Sequence, residues 1–382
     1  MKLAVNHRVA GLAAISALAL TLTACGQDAT TDTTSSSDAT GESSAAETSA
    51  ASLSGSLAGA GASSQEKGQN AWIAEFGMEN PDLTISYDPS GSGNGRTAFI
   101  DGSVQFAGSD SVMKTEEIEA ATARCEGSEP IEVPLWISPI AVVYNLPSLD
   151  AEHINMSADT IAKIFSGQIT KWNDPELVEQ NPDIELPDAD IIPVNRSDES
   201  GTTKNFTQYL ADAAPDVWTY EPDEVWPLDG TQSGAQTSGL LEVVEGAEGT
   251  IGYVDASRAG DLGTVAVGVG DEYVPFSAEA AAKIVDISEP TEDATDLRLT
   301  LDLARDTTES GVYPIVLVSY LIACSTYADE QDATNVKAYL EYIASEEGQD
   351  LAASADVAGI APISDDLRTK VMAALETITV AG

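Results

Sequence analysis

A chain of 382 residues is long enough for two domains with real cores, and its 43% hydrophobic content is that of an ordinary soluble globule. Lys and Arg total 17 against 63 for Asp and Glu, a net charge of −46 that excludes nonspecific attraction to nucleic acid or to an anionic membrane surface. Only two histidines exist, His7 and His153, which excludes a His-rich metal site and leaves little for imidazole chemistry.

The chain begins with Lys2, His7 and Arg8 ahead of an apolar run from Ala10 to Leu22 that ends in Leu22-Thr23-Ala24-Cys25. The run is too short to span a bilayer as a retained helix, so residues 1–24 read as an export signal. Its end resembles a lipobox, in which Cys25 carries the acyl chains (palmitate among them) and becomes the first residue of the mature protein. Contact with the membrane would then be through that anchor only, on the outer face. Residues 25–52 consist almost wholly of small polar, acidic and Ala residues and cannot bury enough surface to fold; as a flexible linker they would reach roughly 30 Å.

From residue 53 strand and helix signals alternate. Leu53–Gly61 reads as a strand entering a Gly-Ala-Gly turn, Ser64–Glu79 as a helix, and Leu83–Tyr87 as a strand running into Gly91-Ser92-Gly93-Asn94-Gly95. Thr97–Gly102 follows as a helix and Gln105–Gly108 as a strand. Ile131–Leu146 and Val312–Cys324 read as long buried strands; between them 160–165 and 203–210 are helical and 191–194 and 250–254 are strands. This alternation predicts an α/β sheet with helices on its faces and ligands at the carboxyl ends of strands. The two long strands suggest a discontinuous first domain, 53–140 plus 312–382, and a second, 141–311, between its parts. The remaining thiols, Cys125 and Cys324, are expected to be bonded to each other in an oxidising compartment, with two buried free thiols as the alternative.

Three strand ends release into polar, Gly-rich turns at helix starts: Ala60–Ser64, Gly91–Gly95 and Ser200–Thr203. Free N–H groups, hydroxyls and close backbone approach make an anion-binding device; each turn alone reads more readily as a helix cap, and the three together favour an oxyanion. Nucleotide motifs fail. Arg96 stands where G-x-G-x-x-G needs its third glycine, and Gly201-Thr202-Thr203-Lys204 lacks the order of a P-loop. No G-x-S-x-G is present, and His153 beside Glu152 reads as an exposed loop residue.

The runs Leu57–Ser64, Val104–Asp110, Ile164–Asp174 and Arg196–Thr203, extended by Trp226-Pro227, Gly249–Val254 and Tyr313–Ile315, resemble the extracytoplasmic phosphate-binding proteins (PstS family) of phosphate-specific ABC transporters. The resemblance implies a two-domain, periplasmic-binding-protein-like (type II) fold, hinged on two linking strands near 137–143 and 312–316. It implies a monomeric binding protein without cofactor, metal or enzymatic activity, which closes on inorganic phosphate and hands it to the permease subunits. An oxyanion-binding relative, or an extracytoplasmic phosphatase or other hydrolase on the same fold, is the alternative. Carried onto this chain, the phosphate contacts fall on Ser63, Ser64, Ser92, Asp110, Arg196, Ser200, Gly201 and Thr202, with Asp198 holding the Arg196 guanidinium. Asp110 would accept the proton that phosphate carries and sulfate lacks, or would be a helix N-cap. Where the family often has Thr-Phe, this chain has Ser63-Ser64. Arg96 reads as an exposed helix-start arginine, with a second, more distant cation as the alternative.

Overall fold

A computed structural model describes residues 52–382; the export signal, Cys25 and all but the last residue of the linker lie outside the described residues. The chain runs β1 (Gly55–Gly61), a 3-10 turn (Ser63–Gln65), α1 (Glu66–Glu79), β2 (Leu83–Asp88), α2 (Ser92–Ile100), β3 (Phe106–Ser109), α3 (Thr115–Arg124) and β4 (Pro130–Tyr144). Next come β5 (His153–Met156), α4 (Ala158–Phe165), α5 (Pro175–Gln180), β6 (Ile192–Arg196), α6 (Gly201–Ala213), β7 (Gln232–Gly234), α7 (Gln236–Gly246), β8 (Thr250–Asp255), β9 (Gly263–Val269), β10 (Glu272–Val274) and α8 (Ala278–Asp286). The last part holds β11 (Glu289–Pro290), β12 (Leu301–Asp302), β13 (Val316–Cys324), β14 (Thr326–Tyr327), α9 (Glu330–Ala344), α10 (Glu346–Ala353), α11 (Asp365–Glu376) and β15 (Thr379–Val380).

The main sheet is ordered β2-β1-β3-β13-β4-β8-β6-β7, with β9 also on β4 and carrying β5 and β10. At one end β1 lies parallel to β2 and β3, at the other β6 lies parallel to β8 and β7, and the antiparallel strands β13 and β4 join them. Every residue of β4 and β13 is buried, which is why both read as nearly continuous apolar runs, interrupted by Glu132, Ser138 and Ser319, without the alternation of a one-sided strand. β4 pairs with β13 from Pro130 to Pro139 and with β8 from Ile140 onward, so one strand changes partner at Pro139/Ile140. Helices cover the faces: α6 buries Phe206, Tyr209 and Leu210, and α9, capped by Asp329, buries Val336, Tyr339, Leu340 and Ile343 at helical spacing.

Three local expectations are corrected. Residues 312–315 are buried but not strand, because Pro314 has no N–H to donate; the segment is tied instead by Ile140 N donating to Ile315 O (2.6 Å) and the Tyr313 hydroxyl donating to Ile140 O (2.8 Å). The second glycine turn is not a loop before a helix at Thr97 but the first turn of α2, entered through Gly91 at φ 103°. His153 opens β5 half-buried, its Nδ1 2.8 Å from the Thr264 hydroxyl.

Cys125 and Cys324 form a disulfide with Cα atoms 5.1 Å apart. It joins the end of α3 to the end of β13 across 199 positions, and a loop of that length corresponds to roughly 5 kcal/mol of lost chain entropy in the unfolded state.

Candidate functional site

The parallel strands β1, β2 and β3 end on one edge, and their turns meet there. Gly91 N donates to Gly61 O at 2.8 Å, docking the second turn onto the first. The third turn, the start of α6, comes from the far side of the sheet. A Cβ on Gly201 would stand 2.7 Å from both the Asp110 Cβ and the Ser92 hydroxyl, so the close approach of this turn requires glycine.

Asp110 is the knot. Its Oδ1 accepts from the Ser64 hydroxyl (2.6 Å), its Oδ2 accepts from the Thr202 hydroxyl (2.9 Å), and its backbone N–H donates to the Ser92 hydroxyl (3.1 Å). It is 3% exposed, and burial pushes its carboxyl above the ordinary value against the opposing pull of the Ser64, Ser319 and Thr202 hydroxyls and the Arg196 charge. The helix-cap reading of Asp110 is excluded, since α3 begins only at Thr115. Serine in place of the aromatic at position 64 thus supplies a hydroxyl to this carboxylate, while Ser63 lies 2.9 Å from the Thr237 hydroxyl and accepts from Thr237 N at 3.2 Å.

Arg196 ends β6 and is 4% exposed. Asp198 takes Nε at 2.7 Å and Nη2 at 2.5 Å, a bidentate pair that lies against Gly91. Burial alone would raise the Asp198 carboxyl, but the Arg196 guanidinium and the Gln236 N–H hold it below the ordinary value. Among the described residues, Arg196 Nη1 has no hydrogen-bond acceptor. The Arg196 backbone is held by Tyr253, whose hydroxyl accepts from Arg196 N (3.2 Å) and bonds the Thr203 hydroxyl (2.8 Å), and whose ring stacks on Phe206.

Ser200 caps α6: its hydroxyl accepts from Thr203 N (3.2 Å), and its own N–H is taken by Glu224 O (3.1 Å). Of its polar hydrogens, only the hydroxyl proton is left to turn toward a ligand. Asn205, one turn further, donates to Asp110 O (2.5 Å) and Gly201 O (2.9 Å) and accepts from Arg305. Arg305 also donates to Pro314 O and Val316 O at 3.3 and 2.9 Å, tying the segment before β13 to the site. The structure therefore gathers Ser63, Ser64, Ser92, Asp110, Ser200, Gly201 and Thr202, with the Arg196–Asp198 pair alongside.

One arginine is corrected. Arg96 is not exposed but 1% accessible, and its guanidinium carries two carboxylates. Nε donates to both Glu117 oxygens (3.0 Å), Nη1 to Glu224 Oε1 (2.8 Å) and to the Ser109 and Ser111 hydroxyls (2.9 Å each), and Nη2 to Glu224 Oε2 (2.6 Å). Each of its three guanidinium nitrogens thus has a protein acceptor, unlike Nη1 of Arg196. Glu117, Glu224, Thr237 and Arg305 have no sequence signal, because each reaches the site through a long-range contact; Asn205 and Tyr253 lie in segments the sequence marks, but their bonds to Asp110 O and Arg196 N span 95 and 57 positions. Among the described residues no group of His, Cys, Asp and Glu is placed to hold a metal, and no helix is long and apolar enough to cross a membrane.

Residues 35–347 match the family model of the PBP superfamily domain. The phosphate-binding protein PstS 3 of Mycobacterium tuberculosis is 32% identical over 385 residues, covering 98% of this chain and 99% of that protein. The phosphate-binding protein PstS of Haemophilus influenzae is 30% identical, covering 79% and 87%. Among solved structures, the high-affinity periplasmic phosphate-binding protein PfluDING, bound with phosphate, aligns with a TM-score of 0.66 at 20% identity over 84% of this chain and 93% of that one. The phosphate-binding protein of Stenotrophomonas maltophilia aligns with a TM-score of 0.62 at 18% identity over 84% and 94%. At those identities the structural likeness speaks for the fold.

Proposed function

The chain belongs to the PstS-type phosphate-binding proteins of the PBP superfamily, and from that premise we propose that it binds one inorganic phosphate ion in the cradle around Asp110 and delivers it to an ABC-type importer. The observation that carries this is a half-committed cation beside a buried carboxylate: Arg196 keeps one guanidinium nitrogen without an acceptor, in the same cradle as Asp110. Arg196 would neutralise the anion through that nitrogen, oriented by Asp198. The hydroxyls of Ser63, Ser92 and Ser200, those of Ser64 and Thr202 once turned from Asp110 to the anion, and the first N–H groups of the turns, Gly201 included, would supply neutral donors. Asp110 would take the proton of a protonated phosphate; sulfate would present only lone pairs to it, in a desolvated site where an unpaired repulsive contact is costly.

Residues 53–140 with 312–382 would form one lobe and 141–311 the other, and the partner change of β4 at Pro139/Ile140, beside the irregular 312–315 segment, supports a hinge there. The protein would work outside the cytoplasm, held by acyl chains on Cys25. Fatty-acid labelling of the wild type but not of Cys25→Ser is the expected result for the anchor. For binding, calorimetric titration of ligand-stripped protein is expected to give heat and one-to-one stoichiometry with phosphate and none with sulfate or molybdate. Binding of molybdate or sulfate with equal strength would replace phosphate by oxyanions in general.

A further inference from the structure

We propose that Arg96 and Glu224 form a strut that holds the closed cleft at the spacing its ligand needs, which makes Arg96 a positioning residue for phosphate binding although it does not face the anion. The proposal rests on the phosphate-binding reading above.

Two facts about Glu224 carry it. Its carboxylate takes both terminal nitrogens of Arg96, and Arg96 sits in α2, whose first turn is the second glycine turn of the cradle. Its backbone carbonyl takes the N–H of Ser200, the cap of the third turn. One residue therefore grips the second turn with its side chain and the third with its main chain, and so sets the distance between them. The segment that presents it, 214–231, is itself held: Trp218 and Trp226 are buried and pack on one another, and Trp226 stacks on Tyr253, whose hydroxyl accepts from Arg196 N.

The charges are arranged to favour the closed state. Glu117 lies on α3, next to α2, and bonds Arg96 whatever the position of the other lobe. Glu224 comes from 128 positions away and has Arg96 and the Ser111 hydroxyl as its partners. On opening, Arg96 would keep one carboxylate, while Glu224 would lose its cation. Although burial by itself raises the Glu224 carboxyl, its bonds to Arg96 and Ser111 bring it below the ordinary value. With side chains 1% and 5% exposed, the pair is sheltered from salt. Among the described residues two further ion pairs join the lobes as bounded above, Arg258 with Glu66 at 2.6 Å and Arg298 with Glu129 at 3.2 Å, and both are partly exposed and correspondingly screened.

The test is Glu224→Gln, whose carboxamide keeps the shape and the carbonyl while Glu117 still neutralises Arg96. Stopped-flow measurement should show phosphate release accelerated about 10- to 100-fold with association changed less than about threefold, because a buried pair formed on closure acts on the off-rate. The melting temperature of the ligand-free protein should be nearly unchanged, and small-angle scattering should show the variant more open than the wild type in phosphate. Arg258→Gln should change release less than about twofold. A lowered melting temperature with unchanged release would make the pair merely structural, and equal effects of the two variants would make any surface pair sufficient; either overturns the proposal. If the wild type does not bind phosphate, the functional reading fails, and scattering alone decides the strut: a more open Glu224→Gln supports it, and identical profiles refute it.

Discussion

Two buried arginines flank the cradle, 1% and 4% exposed, and they are built for opposite work. Around Arg96 two carboxylates and two serine hydroxyls supply an acceptor to each of the three guanidinium nitrogens, and the two carboxylates outweigh its single positive charge. Around Arg196 a single carboxylate balances the charge and leaves Nη1 without an acceptor. Whether a buried arginine acts as a strut or as a ligand is therefore decided by how many of its donors the protein has already used. The residue type, and even its position at a glycine turn or a strand end, does not distinguish the two.

Exchanging each for alanine should separate the two roles most sharply. Arg96→Ala leaves Glu224 buried beside Glu117 with no cation between them in the closed protein, and should cost about 3–5 kcal/mol of stability in urea or thermal unfolding at saturating phosphate, the range for breaking a buried pair. Arg196→Ala should instead weaken phosphate binding by roughly 2–5 kcal/mol in calorimetry, with a much smaller loss of stability, because Asp198 keeps the Gln236 N–H and partial access to water. If both variants lose stability equally and binding equally, the contrast is wrong.

Glu132 tests how far the Arg96 cluster reaches. This fully buried carboxyl of β4 accepts from Met113 N (2.8 Å), while its Oε2 has no partner among the described residues. Burial pushes it up to about 7, against the pull of the Met113 N–H and the charges of Arg298 and Arg96. Because the folded-state value is raised, the folded protein binds the proton more tightly than the unfolded chain does. Stability is then full below the ordinary glutamate range and is lost as pH rises toward 7, by about 3 kcal/mol at the ordinary conversion. Glu132→Gln should flatten that slope and melt higher than the wild type at pH about 8, and an unchanged slope would show that Glu132 stays ionised.

The smallest effect concerns Asp110 beside Arg196. Asp110→Asn should change phosphate affinity little, since the amide can donate to an oxygen, while sulfate competition should strengthen about tenfold. Unchanged selectivity would leave Asp110 as a scaffold for Ser64 and Thr202 alone.

The sequence by itself determined what is local. The three Gly/Ser turns, Asp110 at a strand end and the nearly continuous apolar runs of β4 and β13 read directly, because glycine backbone freedom and burial on both faces leave signatures within a few residues, while the Arg196–Asp198 pair came through the family resemblance. The tertiary structure decided whatever depends on partners far along the chain. Arg96 read as an exposed residue because its acceptors stand 21 and 128 positions away, and charge compensation, which fixes both its burial and its role, has no sequence period to betray it. The Cys125–Cys324 bond lay between these cases: the compartment made pairing reasonable, but only strands β3, β13 and β4 lying side by side bring two residues 199 positions apart within reach, because a disulfide needs neighbouring backbones.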